Sequence, residues 1–125
     1  MASRILYIED NVGNRMLVKR ILEAEGYSIM EAVDGPSGLK MAGEGQFDLI
    51  LLDINLPEID GYDLARRLRN MPSLQRVPIL AVTANVMQGD RERTLAAGCD
   101  GYIQKPVDVD RLPEQIAAAL RKGRM

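Results

Sequence analysis

The sequence predicts an α/β protein built on a doubly wound, five-stranded parallel sheet. Short apolar runs alternate with segments of helical periodicity along the whole chain, a pattern typical of repeated strand–helix units. Residues 48–52 are apolar almost throughout, as in strands that are buried on both faces of a parallel sheet. Because crossovers between parallel strands are right-handed, we expect the strand order 2-1-3-4-5, with the first and third strands side by side at the switch point.

The first two strand–helix units follow one another without a linker. Residues 4–8 are predicted as the first strand, since they form an apolar run that ends at turn-forming residues. Residues 13–25 are predicted as a helix whose apolar side chains recur on one face, and Gly26 ends it because glycine readily takes the left-handed conformation of a helix C-terminus. Residues 27–31 are the second strand, and residues 36–43 a short helix.

The third unit contains the most apolar strand, residues 48–52. A helix over residues 62–70 follows it, and Asp60 is the expected N-cap because a short acidic side chain can accept the free N–H groups of a first turn. Residues 78–82 are the fourth strand.

The last two helices are separated by a short strand. Residues 86–97 are predicted as a helix that Gly98 stops, and residues 101–104 as the fifth strand. Residues 110–122 are the last helix, with Pro113 in its first turn, where a missing N–H costs little.

Bulk composition narrows the function classes. The 125 residues, 46% apolar and 27% charged, fit a single domain over residues 1–125 with no output domain attached. A net charge of −2 gives no basic patch for nucleic acid or for an acidic membrane surface. No apolar stretch is long enough to span a bilayer, the N-terminus lacks a signal-peptide pattern, and Cys99 has no disulfide partner. A cytoplasmic location is therefore expected.

Histidine is absent from the chain. This excludes Ser-His-Asp and Cys-His catalysis, Cys/His zinc sites, and a phosphohistidine on this chain. A phosphoryl group that reaches the protein must come from another molecule.

Polar side chains follow the predicted strands at one edge of the sheet. Glu9 and Asp10 follow the first strand, Asp53 the third, Thr83 the fourth and Lys105 the fifth. The carboxyl ends of parallel strands meet at the same edge, where open α/β sheets bind ligands. Three acids with a lysine and a hydroxyl form an oxygen-rich pocket that suits a phosphoryl group and a hard divalent cation, Mg²⁺ with Mn²⁺ as an alternative.

Asp53 is the candidate nucleophile, because it ends the most buried strand, where an ionised acid must be paired or metal-bound. The backbone carbonyl of Asn55 is a further candidate metal ligand. Lys105 is a candidate donor to the phosphoryl oxygens and to Asp53. A cis Lys105–Pro106 bond would direct the lysine into the pocket, although the sequence is compatible with either isomer.

Residues at the end of the fourth strand and on the fifth are candidates for a switch, and the alternative is that they are ordinary strand and filler residues. The Thr83 hydroxyl is a candidate sensor of a phosphoryl group, and the small Ala84 leaves room for one. Tyr102, on the neighbouring strand, would fill space differently when Thr83 moves.

Arg91 and Arg93 are predicted to lie on a solvent-exposed face of the fourth helix.

These motifs, taken together, resemble the response regulator receiver domain of two-component phosphorelays, of the CheY-like superfamily with its flavodoxin-like (βα)₅ fold. The matching segments cover nearly the whole chain and have the order and spacing of the family. They are Ile8-Glu9-Asp10-Asn11, Leu51-Leu52-Asp53-Ile54-Asn55-Leu56-Pro57, Asp60-Gly61, Val82-Thr83-Ala84 and Lys105-Pro106.

The resemblance implies a role for each site residue. Asp53 would accept a phosphoryl group from a histidine kinase or a histidine phosphotransfer protein. Asp10, Asp53 and the carbonyl of Asn55 would bind Mg²⁺, and Glu9, a variant of the family's usual Asp, would assist through water. Thr83 and Lys105 would hold the phosphoryl oxygens.

The resemblance also bears on signalling. Tyr102 would be the switch aromatic, and signalling would proceed by protein contact, with no enzyme activity beyond self-catalysed phosphotransfer and dephosphorylation. Asn14 and Leu17 on the first helix are candidates to meet the phosphodonor. Neutral Asn55 and Asn85 predict a short-to-intermediate lifetime of the phosphoaspartate.

Other functions remain open. The chain is expected to be a stand-alone regulator, monomeric or weakly dimeric, and the alternative is a receiver cut from a hybrid histidine kinase. A Mg²⁺-dependent phosphatase with an aspartyl nucleophile is disfavoured, since Asn55 occupies the position of its usual acid/base. A flavin or nucleotide module is disfavoured because the loop after the first strand is acidic and lacks a glycine-rich phosphate cradle.

Overall fold

The computed structural model describes residues 2–84 and 88–122. They form one five-stranded sheet of order β2-β1-β3-β4-β5 in which every neighbouring pair is parallel. The strands are β1 (Arg4–Ile8), β2 (Ser28–Ala32), β3 (Leu49–Asp53), β4 (Ile79–Thr83) and β5 (Gly101–Gln104). The helices are α1 (Val12–Ala24), α2 (Gly35–Glu44), α3 (Gly61–Arg69), α4 (Gln88–Ala96) and α5 (Leu112–Lys122). The predicted fold class and strand order are confirmed.

The helices cover both faces of the sheet. On one face, side chains of α1 and α5 pack on alternate residues of β1 and β3, among them Ile5 and Tyr7. On the other face, α2, α3 and the segment after α4 pack on the intervening residues, among them Leu6 and Ile8. Every residue of β3 and β4 is buried, as expected for central strands of a parallel sheet.

A glycine follows two of the helices, at the point where the chain turns back to the sheet. Gly26 has φ of 91° after α1, and Gly98 has φ of 103° after α4. Both lie in the left-handed region, which side chains with a Cβ rarely adopt. These glycines therefore end their helices as the sequence predicted. The predicted start of α4 at residue 86 lies outside the described residues.

Some boundaries differ from the prediction for identifiable reasons. The last helix begins at Leu112, not at residue 110, because Asp108 Oδ1 accepts the N–H groups of Asp110 and Arg111 and forms a turn first. The strands β3 and β4 each begin and end one residue later than predicted, so that they include Asp53 and Thr83. A short 3₁₀ turn, Pro72–Leu74, lies between α3 and β4. No helix within the described ranges is long and apolar enough to cross a membrane.

Candidate functional site

The carboxyl edge of the sheet brings three acidic side chains together. Glu9 follows β1, Asp10 is the next residue, and Asp53 is the last residue of β3, the neighbouring strand. Carboxylate oxygens of the three lie within 4.8 Å of one another. Glu9 and Asp53 are 0% and 2% exposed, whereas Asp10 is exposed. The cluster is thus an acidic pocket with two buried members and one at its mouth.

The backbone around Asp10 is fixed from α1. Asn11 caps this helix, since its side chain accepts the N–H of Asn14 at 2.9 Å. Arg15, one turn into the helix, donates through Nη1 to the carbonyl oxygens of Glu9 and Asp10, both at 2.9 Å. The peptide groups of the two adjacent acids are therefore held by a cationic side chain behind the pocket.

The Asp53 carboxylate is held through its Oδ1 atom. The backbone N–H of Asn55 donates to Oδ1 at 2.9 Å, and Lys105 Nζ lies 3.2 Å from it. Asn55 itself is exposed in the loop before α3. The hydrogen bond from Asn55 ties the start of the loop between β3 and α3 to the Asp53 side chain.

Lys105 reaches the pocket from the loop after β5. Its side chain is 21% exposed, and Nζ also lies 3.3 Å from Glu9 Oε1. The Lys105–Pro106 peptide bond is cis. The backbone N–H of Lys105 donates to the carbonyl of Thr83 at 2.8 Å, so the loops after β4 and β5 are tied together beside the acids.

Glu9 has the most constrained carboxylate of the cluster. Burial, and next the neighbouring Asp53 carboxyl, raise the pKa of Glu9, while Lys105 and Asn14 act in the opposite direction. Its Oε2 atom is buried without a hydrogen-bond partner among the described residues. A buried carboxylate oxygen without a donor is rare in folded proteins. The chemistry of this donor set therefore fits a hard divalent cation.

Thr83 and Ala84 lie at the carboxyl end of β4, at the same edge of the sheet as the three acids. Thr83 is 3% exposed at the end of the strand, and Ala84, which follows it, is exposed. Asn85, which is predicted to influence the lifetime of the phosphoaspartate, lies outside the described residues.

Tyr102 lies on β5 beside Ala81 of β4 and is half-buried. Arg91 of α4 donates through Nη2 to its hydroxyl at 2.6 Å, and the guanidinium carbon lies 5.3 Å from the ring centroid. Arg93 similarly lies 4.3 Å from the centroid of the Tyr62 ring. Arg91 and Arg93 are exposed, but they pack on tyrosines, so the interpretation of a purely solvated face was incomplete. Cation–π contacts of this kind have no signal in helical periodicity.

The sequence did not indicate that Tyr7 and Asn14 contact Glu9. The Tyr7 hydroxyl donates to Glu9 Oε1 at 3.2 Å, and Asn14 Nδ2 donates to the same atom at 2.9 Å. Burial, and next the charge of Glu9, raise the pKa of Tyr7 well above its usual range, so its hydroxyl keeps its proton. The Asn14 amide is thus engaged with the pocket.

The Cys99 thiol is buried, which raises its pKa to about 12 and makes it a poor nucleophile.

Fold and site together define an open α/β domain with an acidic pocket at its switch point. The model of the response regulator receiver domain family matches residues 5–117, and the chain belongs to this family. It is 39% identical over 120 residues to the polar-differentiation response regulator DivK of Brucella anthropi, which covers 96% of this chain and 98% of that protein.

Solved structures agree with this assignment. The receiver domain of a sensor histidine kinase from Pseudomonas aeruginosa, with a magnesium ion coordinated in its active site cleft, is 36% identical, with a TM-score of 0.88 over 97% of this chain and 99% of that one. A CheY-like receiver domain protein from Methanospirillum hungatei is 31% identical, with a TM-score of 0.90 over 98% and 96% of the two chains. The protein is a response regulator receiver domain of two-component signalling, a family of signalling domains rather than classical enzymes.

Proposed function

We propose that this receiver accepts a phosphoryl group on Asp53 from a phosphohistidine of a histidine kinase or a histidine phosphotransfer protein. The observation that carries the proposal is the setting of Asp53, a buried carboxylate held by Lys105 and Asn55 beside Glu9 and Asp10. In the transfer, an Asp53 oxygen forms a bond to phosphorus, the bond from phosphorus to the donor nitrogen breaks, and the imidazole keeps that electron pair.

The other pocket residues would bind the metal ion and the phosphoryl oxygens. Asp10, Asp53 and the carbonyl of Asn55 would hold Mg²⁺, and Glu9 would assist through water. The bound ion supplies positive charge for the transferring oxygens. Lys105 neutralises a phosphoryl oxygen with its amino group, and Thr83 donates its hydroxyl to another. Ala84 leaves the space that the phosphoryl group needs.

The response passes through β4 and β5. When Thr83 and Lys105 move toward the phosphoryl group, the loops that they share shift as a unit, because their backbones are hydrogen-bonded. Tyr102 then leaves its contact with Arg91 and turns toward the space beside Thr83. Phosphorylation thereby biases a population between two states, and the face that includes α4 and β5 signals by protein contact.

An apolar patch beside the pocket supports a protein donor. Val12, Met16 and Leu17 of α1 are 61%, 59% and 39% exposed, and Val12 comes two residues after Asp10. Exposed apolar side chains grouped beside a polar site are typical of protein contacts. The domain of the donor that carries the phosphohistidine would pack on this patch.

The test is the mass of the protein after incubation with acetyl phosphate and Mg²⁺. Wild type should gain one phosphoryl group, and Asp53→Asn should gain none. Asp63→Asn, which changes an exposed aspartate on α3, should be labelled like wild type. Undiminished labelling of Asp53→Asn would refute Asp53 as the acceptor, and turnover of a phosphomonoester would favour the phosphatase alternative.

The comparisons support both a stand-alone regulator and a receiver within a hybrid kinase, since relatives of each kind are similar in sequence. We favour the stand-alone form. An antibody against this domain should then detect a band of its own size in cell extract, and a much larger band would establish the hybrid form.

A further inference from the structure

The Glu9 carboxylate is held on one side only. Its Oε1 atom accepts hydrogen bonds from the Tyr7 hydroxyl at 3.2 Å and from Asn14 Nδ2 at 2.9 Å, and Lys105 Nζ lies 3.3 Å away. Its Oε2 atom is buried, with no hydrogen-bond partner in the part of the chain that the structure describes. One oxygen is thus anchored, and the other is left for a ligand.

Tyr7 reaches Glu9 from within the hydrophobic core. Tyr7 is 0% exposed in β1, and it packs with residues of α1 and α5, among them Val18 and Ile116. Glu9 follows Tyr7 by two residues, so both side chains leave the backbone on the same side. A buried phenol needs a partner for its hydroxyl, and Glu9 provides it.

Asn14 supplies the second donor from a different element. It is half-buried in the first turn of α1, where its backbone N–H is already bonded to the Asn11 side chain. Its side-chain amide makes a separate bond and donates to Glu9 Oε1. Because Tyr7 and Asn14 belong to a strand and a helix, they fix Oε1 from two directions.

We propose that Tyr7 and Asn14 are positioning residues that anchor Glu9 Oε1 so that Oε2 is kept for a divalent cation, which it would hold through a water molecule. The inference rests on the proposed function and deepens it, since it names the residues that set the cation affinity of the pocket. Glutamate has one more rotatable bond than aspartate, and a side chain ordered in advance loses less conformational entropy when it binds. Outer residues that orient metal-ligating carboxylates commonly change metal affinity when they are removed.

The first test is Tyr7→Phe, which removes the hydroxyl and keeps the ring. Free Mn²⁺ is measured by electron paramagnetic resonance during titration of the unphosphorylated protein. We expect Tyr7→Phe to bind Mn²⁺ about tenfold more weakly than wild type, while its melting temperature in a chelator stays within a few degrees. Tyr27→Phe is the matched control, since Tyr27 packs against the same core cluster, and it should bind Mn²⁺ like wild type. Unchanged Mn²⁺ affinity in Tyr7→Phe would overturn the inference.

A double-mutant cycle separates positioning from packing. In a Glu9→Gln background, Tyr7→Phe should cause no further loss of Mn²⁺ affinity, because the carboxylate that it orients has gone. An equal loss in both backgrounds would assign the effect to packing and overturn the proposal. Asn14→Ala, at a half-buried helix position, should weaken Mn²⁺ binding in the same direction, and it carries the test if Tyr7→Phe does not fold.

The readouts also distinguish this inference from the proposed function. Excess Mg²⁺ should restore acetyl phosphate labelling of Tyr7→Phe to the wild-type rate, since only affinity is altered. Wild type that binds no Mn²⁺ would refute the cation site itself and the inference with it. Labelling that depends on Asp53, together with wild-type Mn²⁺ affinity in Tyr7→Phe, would leave the proposed function intact and remove only the role of Tyr7.

Discussion

Lys105 Nζ lies 3.2 Å from Oδ1 of Asp53, although Asp53 ends β3 and Lys105 follows β5, two strands that are separated by β4. The same amino group lies 3.3 Å from Oε1 of Glu9. One cation therefore serves two carboxylates that are almost fully buried. Lys105 therefore brings positive charge to both buried carboxylates of the pocket.

Replacing Lys105 by methionine should separate the structural role of this charge from its chemical one. Lys105→Met leaves the carboxylates of Glu9 and Asp53 without their shared cation. Without Mg²⁺ at pH 7, we expect the free energy of unfolding to fall by about 1–2 kcal/mol, as measured by urea denaturation. Labelling by acetyl phosphate should fall as well, and added Mg²⁺ should stabilise the variant more than wild type.

Lys19→Met is the matched control. Lys19 is 43% exposed and lies 3.8 Å from Glu31 on the surface. Exposed pairs of this kind contribute little, so its unfolding free energy should change by less than about 0.5 kcal/mol. Equal destabilisation by the two lysine substitutions would contradict the role that we assign to Lys105.

The raised pKa of Glu9 predicts a pH dependence of stability. Burial raises the pKa of Glu9 in the folded protein above its ordinary value of 4.5, so the folded state binds its proton more tightly than the unfolded state does. Stability without metal should therefore fall as pH rises from about 4.5 through the folded-state pKa. Mg²⁺ replaces the proton, so the increase in melting temperature that it causes should grow over the same pH range.

Glu9→Gln should remove this effect, because glutamine does not titrate. Without metal, the variant should lose less stability than wild type as pH rises above 4.5, and Mg²⁺ should raise its melting temperature less. Thermal unfolding with and without Mg²⁺ between pH 4.5 and 7.5 measures both quantities. A wild-type melting temperature that rises through this window without Mg²⁺ would show that another group controls it.

The sequence was sufficient to predict which acids meet. Asp53 and Glu9 follow apolar runs, and the order of parallel strands converts that position into one edge of the sheet. Thr83 and Lys105 reach the same edge for the same reason. The positions of the strands and their order in the sheet can be predicted because they follow from the apolar pattern and from the handedness of the crossovers, without knowledge of side-chain conformation.

The contacts around Glu9 could not be predicted in the same way. The side of the sheet on which Tyr7 lies follows from alternation, but the reach of its hydroxyl depends on rotamers and on how closely the strand packs against α1. Asp108 was missed for a related reason: its capping bonds depend on local backbone angles that periodicity does not report. The contact between Arg91 and Tyr102 depends on how α4 is placed over β5, which is a property of packing.

Gly61 should control the loop that follows Asp53. A Cβ atom at Gly61 would collide with the backbone of Ile54, the residue next to Asp53. Backbone cannot move aside as a flexible side chain can, so Gly61→Ala should destabilise the fold by about 1–3 kcal/mol. Because the Asn55 N–H that holds Asp53 lies in this loop, labelling by acetyl phosphate should also fall.

Gly43→Ala provides the comparison within the same chain. Gly43 is exposed in α2, and a Cβ there would meet only Met71 Cε at 3.8 Å, an ordinary contact. Alanine is the better helix former, so this variant should be more stable by about 0.5–1 kcal/mol and should be labelled normally. Urea denaturation and labelling of the two variants side by side check both expectations, and a Gly61→Ala variant as stable as wild type would refute the close contact.

Arg69 should affect stability without affecting the pocket. Its guanidinium group donates to the carbonyl oxygens of Gly98, Leu74 and Val77 and to Asp100 Oδ2, at distances of 2.6 to 2.9 Å. These partners lie at the amino ends of β4 and β5, at the opposite edge from the acids. A lysine cannot reproduce this fork of donors, so Arg69→Lys should lower the unfolding free energy by about 2–4 kcal/mol, since it removes several hydrogen bonds from a charged donor.

Arg66→Lys tests whether this effect belongs to the network or to any arginine of α3. Arg66 is 53% exposed and pairs only with exposed Asp63 among the described residues, so the substitution should change stability by less than about 0.5 kcal/mol. Both variants should bind Mn²⁺ with wild-type affinity, because their side chains contact none of the three acids. If folded Arg69→Lys instead lost Mn²⁺ binding, the two edges of the sheet would be energetically coupled. The geometry of the pocket would then depend on contacts outside the loops that carry the acids.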